Sequence, residues 1–408
     1  MDLDLSRSRL IKPESSSKSL REDEKTFKKI SFNLRKNQEQ DNTERMDELA
    51  REFTYESCQN QYWNPANFSL LWGTELWNQA SETQRVKLNQ LYWVAYYAQI
   101  ISAEIATIFF NQTCAASLYS LNDFRIVCDT LDLESMQERA HINAFQTISE
   151  QVEDKLFGGR LFTYPMRGPY VDTMIHWKAT KLERFLRSQQ LKAFALVSST
   201  RPFIGCQYFT VRGLRTLNGK LVQHQLSQFY SKSSEKDHAP IPSKISFHHF
   251  LDESFHFNSS TIISHDVINS LAAPSRFDSW VANRGITGTQ KDHYHFSTAI
   301  NGLFWYDPAL YPKIYKILRS PIFGMEEPEA RLMMKKCFAD ESDGVRASFK
   351  TRNLALDSYQ EYVSRLDYVT PANKKMSTMA GNSLEKHLKE NQKGLHDFFR
   401  SVDSRKVS

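Results

Sequence analysis

The chain has 408 residues with 52 basic and 47 acidic side chains, and its formal net charge is only +5. That length can bury one large helical domain or two to three ordinary ones. A nearly balanced charge, without a long basic stripe among exposed aromatic residues, argues against nucleic acid as a partner. The five cysteines are scattered and never form a CxxC pair, which favours reduced thiols and a cytoplasmic location.

The N-terminal segment lacks the basic-then-apolar order of a signal peptide, and its stretch "KPESSSKSLREDEK" is typical of solvated chain. We therefore predict a disordered polar tail over residues 1–45. A large helical domain is expected over residues 46–345, and a C-terminal helical segment with a loose end over 346–408. No internal repeat and no phosphate-loop or GxGxxG signature interrupts this division.

Hydrophobic periodicity predicts helices throughout the central domain, with glycine and proline concentrated between them. The fold class that follows is all-α, most simply a helical bundle. The predicted helices cover residues 82–119, 122–154, 171–196, 203–230, 243–271 and 298–319.

The apolar run from Tyr92 to Phe110 raises the question of a membrane span. It carries Glu104 near its middle and continues from a polar start where Ser81 and Gln84 form a plausible capping box. We interpret it as a buried core helix and expect no membrane partner. Burying a polar group without a partner costs about 2–7 kcal/mol of folding free energy, and burying an unpaired charge costs more. Glu104 therefore needs a cation beside it, or an arginine such as Arg139.

Two helices carry a glutamate and a histidine at Glu-xx-His spacing. One pair is Glu138 and His141, in "LESMQERAHINAF". The other is Glu253 and His256, in "FHHFLDESFHF", where His249 falls on the same stripe within about 60° around the axis. The neighbouring His248 and Asp252 point elsewhere.

Two Glu-xx-His pairs on separate helices, with further acids from other helices, are how a helical bundle builds a carboxylate-bridged dinuclear metal site. Oxygen and imidazole ligands without thiolate suit iron or manganese. The predicted ligands are Glu104, Glu138, His141, His249, Glu253 and His256. A single such pair is common by chance, and Glu134, one turn before Glu138, is either a further ligand or a solvated neighbour.

The order and spacing of these residues resemble those of the diiron N-oxygenases related to p-aminobenzoate N-oxygenase, the AurF family, within the ferritin-like class. His249 stands where that family has an additional histidine ligand, and "WGTELWNQASETQRVKLNQLYW" is similar to the entry into the family's first ligand helix. The resemblance covers about residues 65 to 270. It implies a ferritin-like diiron domain with additional helices.

The resemblance also implies an activity. Two iron ions, or manganese in their place, would activate dioxygen to oxidise a small organic substrate, with N-oxygenation of an amine as one form. Electrons would come from an external donor, because no flavin or nicotinamide fingerprint is present. A homodimer is the assembly that the family suggests.

The chain departs from the family at one ligand. The family has another glutamate on the helix before the His-xxx-Glu-xx-His element, and this chain has no glutamate between Glu183 and Glu235. Gln207 is the best-placed replacement, and Glu183 is possible only with a different alignment. An amide would leave the site less anionic.

Two other classes of protein compete with the oxygenase. A radical-bearing subunit of ribonucleotide reductase would want a tyrosine two turns after the first Glu-xx-His glutamate, where this chain has Phe145. A non-catalytic or metal-only ferritin-like protein is the alternative that the missing glutamate favours.

Overall fold

The computed structural model describes residues 17–162, 180–233, 238–294, 302–381 and 383–406. Within these ranges the regular structure is helical and no strand is present, which confirms the all-α class. The helices are α1 (Glu24–Glu39), α2 (Thr43–Glu52), α3 (Tyr55–Cys58), α4 (Glu75–Gln79), α5 (Glu82–Leu118), α6 (Arg125–Phe157), α7 (Lys181–Thr200), α8 (Pro202–Ser231), α9 (Ile241–His265), α10 (Arg276–Tyr294), α11 (Tyr311–Arg319), α12 (Glu327–Phe338), α13 (Asp343–Val363), α14 (Pro371–Lys374) and α15 (Leu384–Lys406).

Four long helices form the centre of the molecule. Helix α5 packs along α6, and α8 packs along α9, so that two helical hairpins face each other. Helices α1 and α2 lie across α6 and α9, α7 packs on α5 and α8, and α10 and α13 cover α8. This is the arrangement in which side chains from facing helices can meet inside a bundle.

Helix α5 begins as the sequence predicts. Ser81 and Gln84 make the reciprocal hydrogen bonds of a capping box. By length and composition α5 is the one helix of the described chain that could cross a membrane, and 56% of its most apolar window is buried inside the protein. That burial fits a core helix.

The predicted disordered tail is wrong for part of its length. Helix α1 occupies residues 24–39 and buries Ile30 and Leu34, together with Asn33 and Asn37, against α6 and α9. Its overall polarity concealed one narrow buried stripe with a 3.6-residue period. Residues 1–16 lie outside the described chain.

Two other predicted helices differ from the structure. The one expected over 298–319 is divided: 3-10 turns at Phe304–Tyr306 and Pro308–Leu310 precede α11. The one expected from residue 171 begins at Lys181, and residues 163–179 lie outside the described chain. In the C-terminal segment, α13 packs on α8 and α15 packs on α11 and α12.

Candidate metal centre

Glu104 lies in the middle of α5 with only 4% of its surface exposed. Its Oε1 is 3.2 Å from His249 Nε2 and 3.6 Å from His141 Nδ1. The alternative partner, Arg139, is exposed to solvent. Two histidines of other helices therefore surround this carboxylate.

Glu138 and His141 come from α6, one turn apart on its buried face. Glu138 Oε2 is 3.5 Å from His141 Nδ1, and that nitrogen is also 3.9 Å from Glu253 Oε1. Both side chains are at most 2% exposed. The helix thus aims one imidazole nitrogen at three carboxylates.

Helix α9 brings the third set of side chains to the same place. Glu253 Oε1 lies 2.9 Å from His256 Nδ1 and 3.7 Å from His249 Nε2, and His256 Nδ1 is 3.4 Å from Glu138 Oε1. His248 is half-buried, and its Nδ1 bonds to Asn42 Oδ1 at 2.9 Å. The helical register therefore separates His249 from His248 as the stripe indicated.

The six predicted side chains form two overlapping groups. One contains Glu104, His141, His249 and Glu253, and the other contains Glu138, Glu253 and His256; within each group the ligand atoms lie within 4.8 Å of one another. Glu253 belongs to both. This buried cluster could bind metal.

The chemistry of the cluster fits a cation. The atoms Glu104 Oε2, Glu138 Oε2 and His141 Nδ1 are buried and have no hydrogen-bond partner. Buried polar atoms are nearly always paired, so such a concentration needs an explanation. Carboxylate oxygen and imidazole nitrogen are the donors that iron and manganese accept.

The carboxylates of the cluster favour protonation of its histidines in the absence of a metal. Burial lowers the pKa of His256, but the charges of Glu253 and Glu138 outweigh it and raise that pKa to about 10. Burial likewise opposes a charged His141, yet its hydrogen bond to Asp252 and the nearby carboxylates of Glu104 and Glu138 raise its pKa well above its usual value. The same pairing lowers the pKa of the Glu138 and Glu253 carboxyls despite their burial.

Each Glu-xx-His histidine is held from its outer side by a residue that sequence reasoning missed. His141 Nε2 bonds to Asp252 Oδ2 at 3.1 Å, and His256 Nε2 bonds to Gln137 Oε1 at 2.9 Å. Both partners directly precede a cluster glutamate, giving "QERAH" on α6 and "DESFH" on α9. A polar residue before each glutamate on a core helix is the signal that could have revealed them.

Helix α8 contributes basic side chains where the sequence predicted an acid or an amide. Arg212 is 5% exposed, and its Nη1 lies 2.5 Å from Glu134 Oε2 while its Nη2 lies 3.7 Å from Glu138 Oε1. Lys220, two turns further along α8, interacts electrostatically with Glu253. Glu134 is therefore neither solvated nor free to act as a simple ligand.

Neither predicted replacement for the missing glutamate faces the cluster. Gln207 is buried, but its Nε2 donates to Ala282 O of α10 at 3.3 Å. It is five residues before Arg212, which is about 140° around the helix. Glu183 is exposed at the start of α7, where it accepts a hydrogen bond from Thr180 N at 2.6 Å.

The family of the chain can now be stated. The family model described as "Acyl halogenase CylC-like" matches residues 25–399. The chain belongs to the CylC-like acyl halogenase family. No curated protein and no solved structure matches it significantly.

Membership of the CylC-like family places the chain among oxidative enzymes. The match begins at residue 25, so it includes α1 as well as the four central helices. The resemblance to N-oxygenases covered residues 65 to 270, and the matched family supports the oxidative enzyme that it implied, without showing N-oxygenation itself.

Proposed function

We propose that this protein is a dioxygen-dependent non-haem diiron enzyme that replaces a hydrogen on a carbon of an acyl substrate with a halogen. The observation that carries the proposal is the pair of buried groups sharing Glu253, in a chain of the CylC-like acyl halogenase family. The family's description favours a carbon of an acyl chain over an amine nitrogen as the position oxidised.

Our proposal places one ion in each group. Glu104, His141 and His249 would hold one iron, Glu138 and His256 the other, and Glu253 would lie between them. Bound iron would supply the redox chemistry that lets dioxygen attack an unreactive C–H bond. The protein's own part is to direct one nitrogen of each imidazole into the cluster: Nδ1 of His141, Nε2 of His249 and Nδ1 of His256.

The charge of α8 supports a halide as co-substrate. Three ligand carboxylates offset three of the four positive charges of two divalent ions, and no described residue of α8 supplies a fourth carboxylate to the cluster. Arg212 and Lys220 instead add positive charge on that side, of which Glu134 offsets one unit. An anion is therefore attracted to the α8 side of the centre.

The overall reaction needs an outside reductant. A C–H bond, one halide ion, dioxygen, two electrons and three protons give a C–halogen bond and two water molecules. Dioxygen accepts four electrons, of which the substrate carbon and halide together supply two. The external electron donor supplies the other two.

A cleft of about 870 Å³ opens where α8 ends and α9 begins. Its lining includes His224, Gln228, Tyr230 and Ser243. Ser243 is six residues before His249 on α9, a rise of roughly 9 Å along the helix. The volume is typical of small-molecule sites, and we assign this cleft as the entrance for the acyl substrate.

The test uses the full chain loaded anaerobically with ferrous iron. It is then supplied with dioxygen, a chemical reductant, chloride or bromide, and a panel of saturated acyl N-acetylcysteamine thioesters of graded length. Mass spectrometry should find a product whose isotope pattern changes from chlorine to bromine with the halide supplied. A hydroxylated product that does not depend on halide would contradict halogenation, and a chain that binds no iron would contradict the whole proposal.

A further inference from the structure

We propose that α1 and the turn after it are a positioning part of the metal centre, because they fix the orientation of two histidine ligands from behind. This inference rests on the metal site of the proposed function. Its observations are the side-chain hydrogen bonds of an N-terminal segment that contributes no ligand of its own. The residues concerned are Asn37, Asp41 and Asn42.

The first connection runs to His256. Asn37 Nδ2 donates to Gln137 Oε1 at 3.0 Å, and Gln137 Nε2 donates back to Asn37 Oδ1 at 2.8 Å. Gln137 Nε2 also reaches Asp41 Oδ1 at 3.4 Å. A carboxylate only accepts hydrogen bonds, so Asp41 fixes which end of the Gln137 amide is nitrogen. Gln137 Oε1 must then accept from His256 Nε2, which leaves His256 Nδ1, 2.9 Å from Glu253 Oε1, as the nitrogen that would bind a metal.

The second connection runs to His141. Asn42 Nδ2 donates to Asp252 Oδ1 at 2.8 Å and to Gln40 O at 2.7 Å, and both acceptors fix the orientation of the Asn42 amide. The other carboxylate oxygen of Asp252 accepts from His141 Nε2. His141 Nδ1 is thereby left facing Glu104 and Glu138.

Asn42 stands at a helix N-cap, but its side chain does not make the usual capping hydrogen bond. It stands at the N-cap of α2, where asparagine usually bonds the helix's own backbone, yet it makes no capping bond. Asp41 Oδ1 accepts from Thr43 N in its place. The Asn42 amide is used between His248 and Asp252 instead.

A hydrogen-bond partner on the outer nitrogen of a ligating histidine fixes its tautomer and ring orientation, and losing it costs about 10–100-fold in metal affinity. Coupling of this kind is reciprocal. If docking of α1 tightens metal binding, metal binding must tighten the docking of α1 by the same factor. The segment is therefore expected to respond to metal although none of its residues touches one.

Asn33 provides a matched control on the same face of α1. Like Asn37 it is buried, but its Nδ2 donates to Ser259 Oγ at 2.8 Å and to Phe255 O at 3.2 Å. It therefore helps to dock α1 on α9 without bonding to the partner of a cluster histidine. Asn33→Ala loosens the helix alone, whereas Asn37→Ala loosens the helix and frees Gln137.

The experiment compares the full-length parent with Asn37→Ala, Asn42→Ala and Asn33→Ala, using cobalt(II) alone as the probe. Chelator competition measures affinity, and the visible ligand-field absorption reports the geometry around the ion. Asn37→Ala and Asn42→Ala should each weaken binding about tenfold and shift the absorption bands. Asn33→Ala should keep both close to the parent, although its unfolding midpoint falls.

Asn42→Ala carries the test if Asn37→Ala folds poorly, because Asn42 is only half-buried, and Gln137→Glu tests the Asn37 connection in a second way. Its carboxylate can only accept from His256 Nε2, so Asn37→Ala made in that background should no longer alter the cobalt spectrum. Hydrogen exchange at residues 30–39 of the parent should also slow when cobalt binds. Equal affinities and spectra for the three asparagine variants, in a parent that binds cobalt, would overturn the positioning role alone. A parent that binds no cobalt would overturn the metal centre and this inference with it.

Discussion

Helices α9 and α8 pack side by side but differ in the side chains that they present near the cluster. Helix α9 presents His249, Glu253 and His256 at helical spacing, all of them buried. Helix α8 presents Arg212, which pairs with Glu134, and Lys220, whose Nζ lies 4.6 Å from the Phe257 ring centroid and interacts with Glu253 electrostatically. One helix therefore presents the candidate metal ligands, and its neighbour presents cations that would repel a metal.

The difference shows how the predicted ligand set can lack one acid while the charges beside it stay paired. A buried arginine beside the centre would be costly if it were unpaired, and Glu134 removes that cost through a contact of 2.5 Å. The cation on α8 and the carboxylate that pairs with it on α6 thus accompany the missing acid. This arrangement leaves the centre more positive, which suits an anionic co-substrate.

The largest effect is expected from removing the proposed ligands of α9, because this should remove bound metal. Glu253→Ala deletes the carboxylate shared by both groups, so both ions should be lost. His249→Ala affects one group and should leave about one ion per chain. His248→Ala is the comparison for the register: His248 belongs to neither group, and it contacts Asn42 Oδ1 rather than the Nδ2 that bonds Asp252, so two ions should still load. Metal analysis after anaerobic iron loading measures all three, and equal losses for His248→Ala and His249→Ala would contradict the assigned register.

The next largest effect is expected on α8. Arg212→Met leaves the Glu134 carboxylate buried without its partner, which should lower the free energy of unfolding by about 3–5 kcal/mol. Arg212→Met combined with Glu134→Leu should recover most of that loss, because the double variant leaves no uncompensated charge. Urea unfolding measures both. A single variant as stable as the parent would mean that the pair is not buried as described.

The histidines of α6 and α9 predict a pH dependence of the metal-free protein. The pKa of His256 is raised to about 10 from an ordinary value near 6.5. Its contribution to stability is complete below about pH 6.5 and is lost as the pH rises through 10. Unfolding midpoints of the metal-free chain should therefore fall over this window, and bound metal should prevent the fall by replacing the proton. A midpoint that rises with pH in the metal-free chain would contradict the charge arrangement.

A smaller effect, on metal affinity, is expected from introducing a carboxylate on α8. Lys220→Glu replaces a cation near Glu253 by a carboxylate, so it should tighten metal binding by roughly tenfold and weaken any effect of halide on the centre. Gln207→Glu is the matched control, since Gln207 faces Ala282 of α10. It should leave metal affinity unchanged and lower stability, because it buries an unpaired charge. Tighter metal binding by Gln207→Glu, with no change for Lys220→Glu, would instead indicate that Gln207 faces the cluster.

Periodicity within one helix made much of this predictable. The spacing of His249, Glu253 and His256 fixes their common stripe whatever surrounds the helix, and the Ser81–Gln84 capping box is equally local. What could not be predicted depends on the rotation of one helix against another. Gln207 faces α10 and Arg212 faces α6 because α8 is turned that way, and no pattern within α8 reveals the angle.

The N-terminal segment was misread for a different reason. A buried stripe normally consists of apolar residues, and the stripe of α1 includes Asn33 and Asn37. Asparagine is acceptable there only because Gln137 and Ser259 supply hydrogen-bond partners. Those partners lie more than 90 residues away in sequence, so the polar composition alone pointed to disorder.

The central claim is a dinuclear centre on α5, α6 and α9, and metal stoichiometry tests it most directly. The purified full-length chain would be stripped of metal, loaded with ferrous iron under anaerobic conditions, freed of excess iron, and analysed for iron and zinc per chain. The account predicts close to two iron ions per chain. One ion or fewer per chain, or zinc alone after the same loading, would contradict it.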